Sequence, residues 1–195
     1  MKAFVSFFTV LFLLTSCTIT QHYSFNKDFS GNYSMAFDLS GLEALQDSAS
    51  KDEDFFEGIN TDSIEEVYSK LDGISKVKVR TEKNVLYLSY KFDGLESLTA
   101  SFANGTEYNM GMNEQAKFSF EDGVFRYDFT TANVVDSLSE SMNFFEYNVI
   151  MDFKQPIKEA TNGVVNIKEN SISLTGNLGE IVSNKKSLSV AVTFK

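Results

Sequence analysis

The chain has 195 residues with 17 basic and 27 acidic side chains, which gives a formal net charge of −10. An acidic protein repels nucleic acids and anionic lipid headgroups, so neither is an expected partner. The sequence contains one cysteine and one histidine. This composition excludes an internal disulfide, an ordinary zinc site, and a Ser-His or Cys-His dyad that uses a second histidine or a spare thiol.

The first 16 residues have the layout of a secretory signal. Lys2 gives a positive start, residues 3–14 form an apolar run too short to span a membrane, and Leu14-Thr15-Ser16-Cys17 closes it. These last four residues resemble the lipobox of bacterial lipoproteins. The resemblance implies cleavage between Ser16 and Cys17, a diacylglyceryl group on the Cys17 sulfur, and an acyl chain such as palmitate on the new amino terminus.

The mature chain is expected to divide into a short spacer and one domain. Residues 17–28 show no clear hydrophobic period, which predicts a lipidated spacer, and residues 29–195 are long enough for a single domain. The lipid uses the one cysteine, so the domain must be stabilised by its core. The predicted elements are a strand at 29–39, a helix from Ser40, a helix after Thr61 or Asp62, a hairpin at 74–92, a helix at 94–103, a hairpin at 117–128, a helix at 134–142, a strand at 147–153, a hairpin around Glu169-Asn170 and a strand at 188–194.

Turn signals and alternating faces predict the hairpins. Lys83-Asn84 and Asp122-Gly123 are two-residue turns, the second a strong type I′ signal. The predicted partners are Val79 with Leu88, Val77 with Tyr90, Phe120 with Phe125, Phe118 with Tyr127, Lys117 with Asp128, Val165 with Leu174 and Ile167 with Ile172. Hairpins favour antiparallel pairing, and single apolar faces imply cover by helices. The predicted fold is one α+β domain with a curved, largely antiparallel sheet and three to four helices on one face.

The second half of the chain contains Tyr147-x-Val149-x-Met151-x-Phe153-x-x-Pro156-Ile157, then Asn162-Gly163 and Asn170-Ser171-Ile172. This run resembles small uncharacterised bacterial envelope lipoproteins. Residues 25–39, with Phe29-Ser30-Gly31, resemble lipoproteins of the Bacteroidetes lineage. The resemblance implies the same compartment and type of fold, and it brings no catalytic residue to this chain.

A strip of basic residues is the main candidate for binding. Lys76, Lys78 and Arg80 line one face of a predicted strand, and Lys91 lies on the partner strand. On an acidic protein this strip is a candidate site for an anion or a protein partner. The alternative is an ordinary solvated face of an antiparallel sheet.

Two further patterns are open to a functional or a structural interpretation. Ser48, Ser63 and Ser137 each follow Asp in an Asp-Ser-aliphatic pattern that resembles Bacteroidetes O-glycosylation sites, although Asp-Ser is also ordinary helix-cap chemistry. The acidic stretch at 43–66 is rich in ligands for calcium, but its spacing does not match an EF-hand, so no metal site is predicted.

Taken together, these patterns predict a lipid-anchored envelope protein that acts as a non-catalytic accessory or interaction module and needs no cofactor. The alternative is a carrier or sensor of a small apolar ligand such as a lipid, bound among the aromatic residues Phe118, Phe120, Phe125, Tyr127, Phe144, Phe145, Tyr147 and Phe153. A carboxylate-dependent hydrolase ranks third. Thr18 is not an acidic retention residue, so we expect the outer membrane, facing the periplasm.

Overall fold

The computed structural model describes residues 17–43, 55–104, 114–131, 144–166, 168–183 and 187–195. The described strands are β1 (Cys17–Phe25), β2 (Gly31–Asp38), β3 (Ile74–Glu82), β4 (Val85–Phe92), β5 (Glu114–Glu121), β6 (Val124–Thr131), β7 (Phe145–Phe153), β8 (Ile157–Ala160), β9 (Val164–Asn166), β10 (Ser171–Asn177) and β11 (Val190–Phe194). The described helices are α1 (Ser40–Glu43), α2 (Thr61–Ser69), α3 (Leu95–Asn104) and α4 (Leu178–Val182).

These elements form one α+β domain with mainly antiparallel strands, which confirms the predicted fold class. The strands divide into two sheets rather than one. The larger sheet has seven strands in the order β3-β4-β2-β1-β7-β10-β9, and the smaller has four in the order β5-β6-β11-β8. One strand pair in the larger sheet is an exception to the antiparallel arrangement, because β1 runs parallel to β7.

Strand β1 occupies the centre of the larger sheet, so the prediction of a spacer at residues 17–28 was wrong. Its inward side chains, at alternate positions from Cys17 to Phe25, are all buried. Among them is the polar Gln21, which interrupts the hydrophobic alternation in the sequence. The rest of the predicted spacer turns the chain into β2, with Asn26 N–H donating to the Ser30 carbonyl at 2.7 Å.

The second predicted hairpin has the expected register, and the first has it from Lys78 to Glu82, where a β-bulge interrupts the ladder before the predicted Val77–Tyr90 pair. Val79 lies opposite Leu88, and Phe118 lies opposite Tyr127. Asp122 and Gly123 both have positive φ, 54° and 78°, as a type I′ turn requires. The third hairpin differs, because Val165 pairs with Ile172 instead of Leu174. Its loop is two residues longer than predicted, and Ile167 lies outside the described residues.

The core lies between the two sheets and is built largely from aromatic rings. Phe25 of β1 contacts Phe125 and Phe153 with ring centroids 5.1 Å apart in each case. Phe129 of the smaller sheet lies 5.2 Å from Tyr147 of the larger one. Contacts of this kind stabilise the domain through burial of a large apolar area, since no disulfide is available.

The two longer helices, α2 and α3, cover the core-facing side of the larger sheet near its β3 edge. Helix α2 packs Tyr68 against Tyr90, and α3 packs Phe102 against Tyr33. Asn60 caps α2, because its Oδ1 accepts the Ser63 N–H at 3.0 Å, which places the start of the helix near the predicted Thr61. The helix predicted at 94–103 is confirmed as α3. The helix predicted at 134–142 lies outside the described residues.

None of the described helices has both the length and the apolar content that crossing a bilayer requires.

Candidate functional site

Cys17, the predicted attachment point of the lipid, is the first residue of β1. Its side chain is 1% exposed, and its parallel-strand neighbour is Phe145. Burial raises the pKa of the Cys17 thiol, the backbone N–H of Leu42 opposes that rise, and the negative charge of Asp38 adds to it. The position therefore favours a neutral thiol or a thioether over a thiolate. Ser16, on the other side of the predicted cleavage site, lies outside the described residues.

The geometry at Cys17 has two consequences for a lipid anchor. The folded strand starts at this residue, so no flexible spacer separates the sulfur from the domain. A diacylglyceryl group is also much larger than the thiol hydrogen that it would replace, and Cys17 is buried. Because the backbone of Gly41 and Leu42 lies against the sulfur, we expect a lipid on Cys17 to displace the turn formed by α1.

The face of the larger sheet that points away from the core, called the outer face below, is polar and open. It is formed by the residues of β1 that alternate with the buried ones, together with their partners on neighbouring strands. At its centre lie small hydroxyl and amide side chains that are all at least partly exposed: Thr18, Thr20, Ser24, Ser34, Ser89, Asn148, Ser171, Ser173 and Thr175. Small polar residues on an open sheet face leave room for a ligand or a protein surface.

Lys76, Lys78, Arg80 and Lys91, called the basic strip below, are all exposed along the β3–β4 edge of this sheet. A β-bulge in β3 between Ser75 and Lys78 changes the alternation of the strand. Because of the extra residue, Ile74 and Val77 both pack against the core although they are three positions apart. From Val77 onwards the alternation is regular, so Lys78 and Arg80 face outwards. Lys76 lies in the bulge with φ of 53°, a left-handed conformation that strains residues other than glycine.

Arg80 differs from the three lysines of the basic strip because it has neighbours that hold its charge. Its guanidinium carbon lies 4.1 Å from the centroid of the Tyr87 ring, and Nη1 lies 3.0 Å from the Glu82 Oε1. Lys76, Lys78 and Lys91 form no ion pair with any residue in the described part of the chain. These three ammonium groups are therefore available to an anionic partner.

A shallow groove of about 220 Å³ crosses the outer face between β1 and the basic strip. Its polar side chains are His22, Ser24, Asn32, Ser34, Lys76, Ser89 and Lys91. Two ammonium groups beside hydroxyl and amide donors can bind a phosphate or carboxylate group by charge-assisted hydrogen bonds. The sequence prediction missed His22, Ser24, Asn32 and Ser34 as members of this site. The polar–apolar alternation of residues 17–25 was the available signal.

His22 itself is paired across the outer face. Its Nε2 lies 2.6 Å from the Oδ2 of Asp152 on β7, and both side chains are about two-fifths exposed, at 41% and 43%. The pair stands on an open sheet face beside the groove, and the neighbouring residue on β7 is Ile150. A histidine held by a carboxylate can move a proton, but this pair has no third group arranged as a nucleophile in the contacts described.

Two of the three predicted modification residues are outside the described part of the chain. Ser48, Ser137 and residues 44–54 of the acidic stretch lie there. Ser63 is described: its N–H is bound to the Asn60 side chain in the first turn of α2, which is a structural role. Within the described ranges, no group of three or more His, Cys, Asp or Glu side chains is placed to hold a metal ion.

The aromatic residues proposed as a ligand cavity are placed mainly in the core. Phe118, Phe125, Tyr127, Tyr147 and Phe153 are buried against one another and their neighbours. Phe120 and Phe144 are instead exposed, at 43% and 42%. Phe120 lies at the mouth of a surface groove of about 710 Å³ between α3 and β5, which Leu95, Ala103 and Phe118 also line.

Comparison with known proteins supports the architecture. The fold is similar to that of the folded domain of Mycobacterium tuberculosis LppM, determined by NMR. The two share 11% sequence identity with a TM-score of 0.53, and the match covers 92% of this chain and 91% of that chain. At this identity the likeness shows the fold and nothing about ligands or activity. No protein-family model matches the sequence, and no curated protein matches it.

Proposed function

We propose that this chain is a lipid-anchored protein of the bacterial cell envelope that acts as a non-catalytic accessory or interaction module. The observation that carries the proposal is the lipobox-like Leu14-Thr15-Ser16-Cys17 in the sequence. Its cysteine is part of the central strand β1, so a lipid at this position would be attached directly to the folded domain. A signal that is cleaved before Cys17 leaves the whole described domain intact, with its first residue carrying the lipid.

The outer face supplies the proposed interaction surface. Its centre is rich in small polar residues, and its β3 edge carries the basic strip. A partner with an acidic or phosphorylated surface matches the positive charge of this strip. The rest of the protein is acidic and repels such a partner, which favours binding at the outer face. The bulge supports the same proposal, since a residue in a strained backbone conformation is found more often at a binding site than elsewhere, and Lys76 has this conformation beside the groove.

Two finer parts of the proposal come from the sequence. The protein is placed in the outer membrane on its periplasmic side, because Thr18 follows the lipidated cysteine and residues 18–21 contain no acidic side chain. The protein is also proposed to act without a cofactor and without catalysis. His22, the one histidine, stands on an open face rather than in a cleft that excludes water.

Lipidation is tested by expressing the full chain, with its leader, in a bacterium that makes lipoproteins. The expected intact mass is that of residues 17–195 plus a diacylglyceryl group and an acyl chain, and the protein should sediment with membranes. Cys17→Ser is expected to accumulate as unprocessed precursor without the lipid mass. Normal processing of Cys17→Ser, or native protein of unmodified mass, contradicts the proposal.

The interaction surface is tested separately by charge reversal. Lys78→Glu with Lys91→Glu is expected to abolish capture of an envelope partner by the lipidated protein at low salt. Lys117→Glu with Lys158→Glu is the matched control, because both lysines are exposed and belong to the smaller sheet. Equal loss in both double variants indicates a net-charge effect, and retention in both excludes the basic strip as the surface.

A second candidate function, the carriage of an apolar ligand, has one observation in its favour. The groove between α3 and β5 has the volume of a small-molecule site and is lined by Leu95, Ala103, Phe118 and Phe120. Native mass spectrometry of protein purified without strong detergent is the test. Bound lipid that disappears in Ala103→Trp, which fills the groove, supports this function, and a lipid-free spectrum opposes it.

A further inference from the structure

The end of the domain that carries Cys17 is defined by the strand register. Cys17 pairs with Phe145 in the parallel β1–β7 ladder, and Thr18 pairs with Asp38 in the antiparallel one. Strand β1 then runs nine residues to Phe25. At about 3.3 Å per residue, the opposite end of the domain is roughly 25 Å away from Cys17.

Apolar side chains are exposed at the Cys17 end. Phe144 is 42% exposed and lies 4.6 Å from the Phe145 ring, which in turn stacks on Phe37 at 6.1 Å. Ile59 is a second exposed apolar residue on this side, since its N–H binds the carbonyl of Phe56, whose ring contacts Phe37. Three partly buried apolar residues, Leu42, Phe55 and Phe145, join these two exposed ones. We call the five residues the anchor-end cluster.

We propose that the anchor-end cluster lies against the membrane that holds the lipid, at the depth of the headgroups and the first methylene groups. The proposal rests on lipidation at Cys17. With no spacer between the lipid and β1, this end of the domain is held at the bilayer surface at high effective concentration. Aromatic and aliphatic side chains then gain free energy by leaving water for the interface.

The charges at this end specify the kind of lipid surface. Asp38 is partly exposed, and Glu57 and Glu146 are exposed at this end. The β3–β4 turn at the same end carries exposed Glu82 and the basic Lys83, so carboxylates outnumber ammonium groups around the anchor-end cluster among the residues described. Anionic headgroups would be repelled, whereas a zwitterionic surface such as phosphatidylethanolamine or phosphatidylcholine tolerates them. The contact is therefore shallow and apolar, without an electrostatic component that favours anionic lipid.

This contact fixes the orientation of the domain. The strands of the larger sheet run away from the membrane, and the outer face stands upright on it. Lys91 pairs with Asn32 and Ser75, near the end of the sheet opposite Cys17. The groove beside Lys91 is thus presented to the periplasmic space at roughly 20 Å from the bilayer surface, within reach of a partner and away from the headgroups.

Single tryptophan reporters test the orientation, because the chain contains no Trp. Phe144→Trp places the reporter in the anchor-end cluster. Phe120→Trp is the matched control: Phe120 is 43% exposed, and its ring lies 4.6 Å from Phe29, beyond the opposite end of β1. Each variant of the full chain is produced in lipidated form and reconstituted into phosphatidylcholine vesicles whose acyl chains carry bromine near the headgroup.

The expected result is quenching of Trp at 144 by about twofold or more, with a blue-shifted emission, as for a side chain buried about 5–10 Å into the interface. Trp at 120 is expected to be unchanged. Both reporters should be unquenched in unlipidated protein of residues 17–195, which lacks the apolar leader as well as the lipid. If Phe144→Trp does not fold by circular dichroism, Ile59→Trp replaces it.

The outcomes separate this inference from the proposed function. Intact mass is measured first, and protein without the lipid mass overturns the anchor and, with it, the orientation. If the lipid mass is present and Trp at 144 is quenched no more than Trp at 120, the orientation is overturned while the anchor stands. Stronger quenching at 120 reverses the orientation and also contradicts the inference.

Discussion

The hydroxyl of Tyr23 donates a hydrogen bond to the Oε1 of Gln21 at 2.6 Å, and both side chains are buried in the core-facing side of β1. This contact explains how an amide side chain is accommodated in the centre of the larger sheet. A buried amide without partners would cost several kcal/mol, on the order of 2–7, depending on the reference state. Tyr23, two residues further on and on the same face of the strand, lowers this cost by donating its hydrogen bond to the amide oxygen.

Tyr23→Phe is therefore expected to destabilise the domain although it removes a single oxygen. The expected loss in the free energy of unfolding is about 1–3 kcal/mol, because a buried acceptor loses a hydrogen bond. Urea denaturation followed by circular dichroism measures it. Tyr87→Phe on the outer face is the control and should change stability by less than about 0.5 kcal/mol. Equal small effects would show that Gln21 is satisfied without Tyr23.

The polar Gln21 also explains why β1 was not predicted. Ile19, Tyr23 and Phe25 alternate with polar residues, but Gln21 interrupts the apolar set, and the neighbouring lipobox suggested a spacer. The partner of β1 in the parallel ladder is β7, which begins more than a hundred residues later in the chain. No turn sequence predicts such a pairing, because parallel strands are joined by long connections and are brought together by tertiary packing.

Hairpins were predictable for the opposite reason. Asp122-Gly123 determines the register of β5 and β6 locally, since both residues take positive φ at little cost. The loop before Asn170 carries no comparable signal, and the predicted register there was two residues out. The basic strip was predicted from alternation alone. The groove beside it depends on β1, so its His22, Ser24 and Asn32 were not recognised.

The left-handed Lys76 leads to a second prediction. A residue with a Cβ costs about 1–2 kcal/mol in this conformation, whereas glycine costs an extra 0.5–1 kcal/mol of chain entropy in a strand, so Lys76→Gly should leave the free energy of unfolding unchanged or slightly raised. Lys78→Gly, in regular extended backbone, should lower it by about 1 kcal/mol. Thermal and urea unfolding compare the two. A larger loss for Lys76→Gly would mean that its side chain supports the fold.

Tyr90 makes stability depend on alkaline pH. Its hydroxyl bonds the Ser101 hydroxyl at 2.7 Å, and burial raises the pKa of Tyr90 well above its ordinary value. The unfolded chain releases this proton near pH 10, so the contribution of Tyr90 is fully present below that pH. It is lost as pH rises from there towards the higher pKa of the folded state.

The prediction is tested by comparing urea midpoints of the native protein and Tyr90→Phe between pH 8 and pH 11. Both proteins lose stability through their other titrating groups, but the native protein should lose more above about pH 10. The absorbance of tyrosinate should also rise later in the folded native protein than in urea. Parallel pH profiles for the two proteins would show that Tyr90 ionises in the folded state.

The buried position of Cys17 leads to two further predictions, and the first concerns protein that carries no lipid. Cys17 is buried and the pKa of its thiol is raised by burial, so both access and thiolate formation are limited. A disulfide reagent at pH 8 should label native Cys17 slowly and urea-unfolded Cys17 rapidly. Cys17→Ser with Thr18→Cys moves the thiol to the partly exposed neighbour, and that variant should react rapidly without urea.

Lipidation should then change the structure next to the sulfur. Because Gly41 and Leu42 lie against the sulfur, we expect a thioether-linked lipid to displace the turn Ser40–Glu43. Amide hydrogen exchange at Gly41 and Leu42 is expected to be faster in the lipidated protein than in the unlipidated one, while exchange in β4 stays the same. Identical exchange at both positions would show that the lipid is accommodated without displacing this turn.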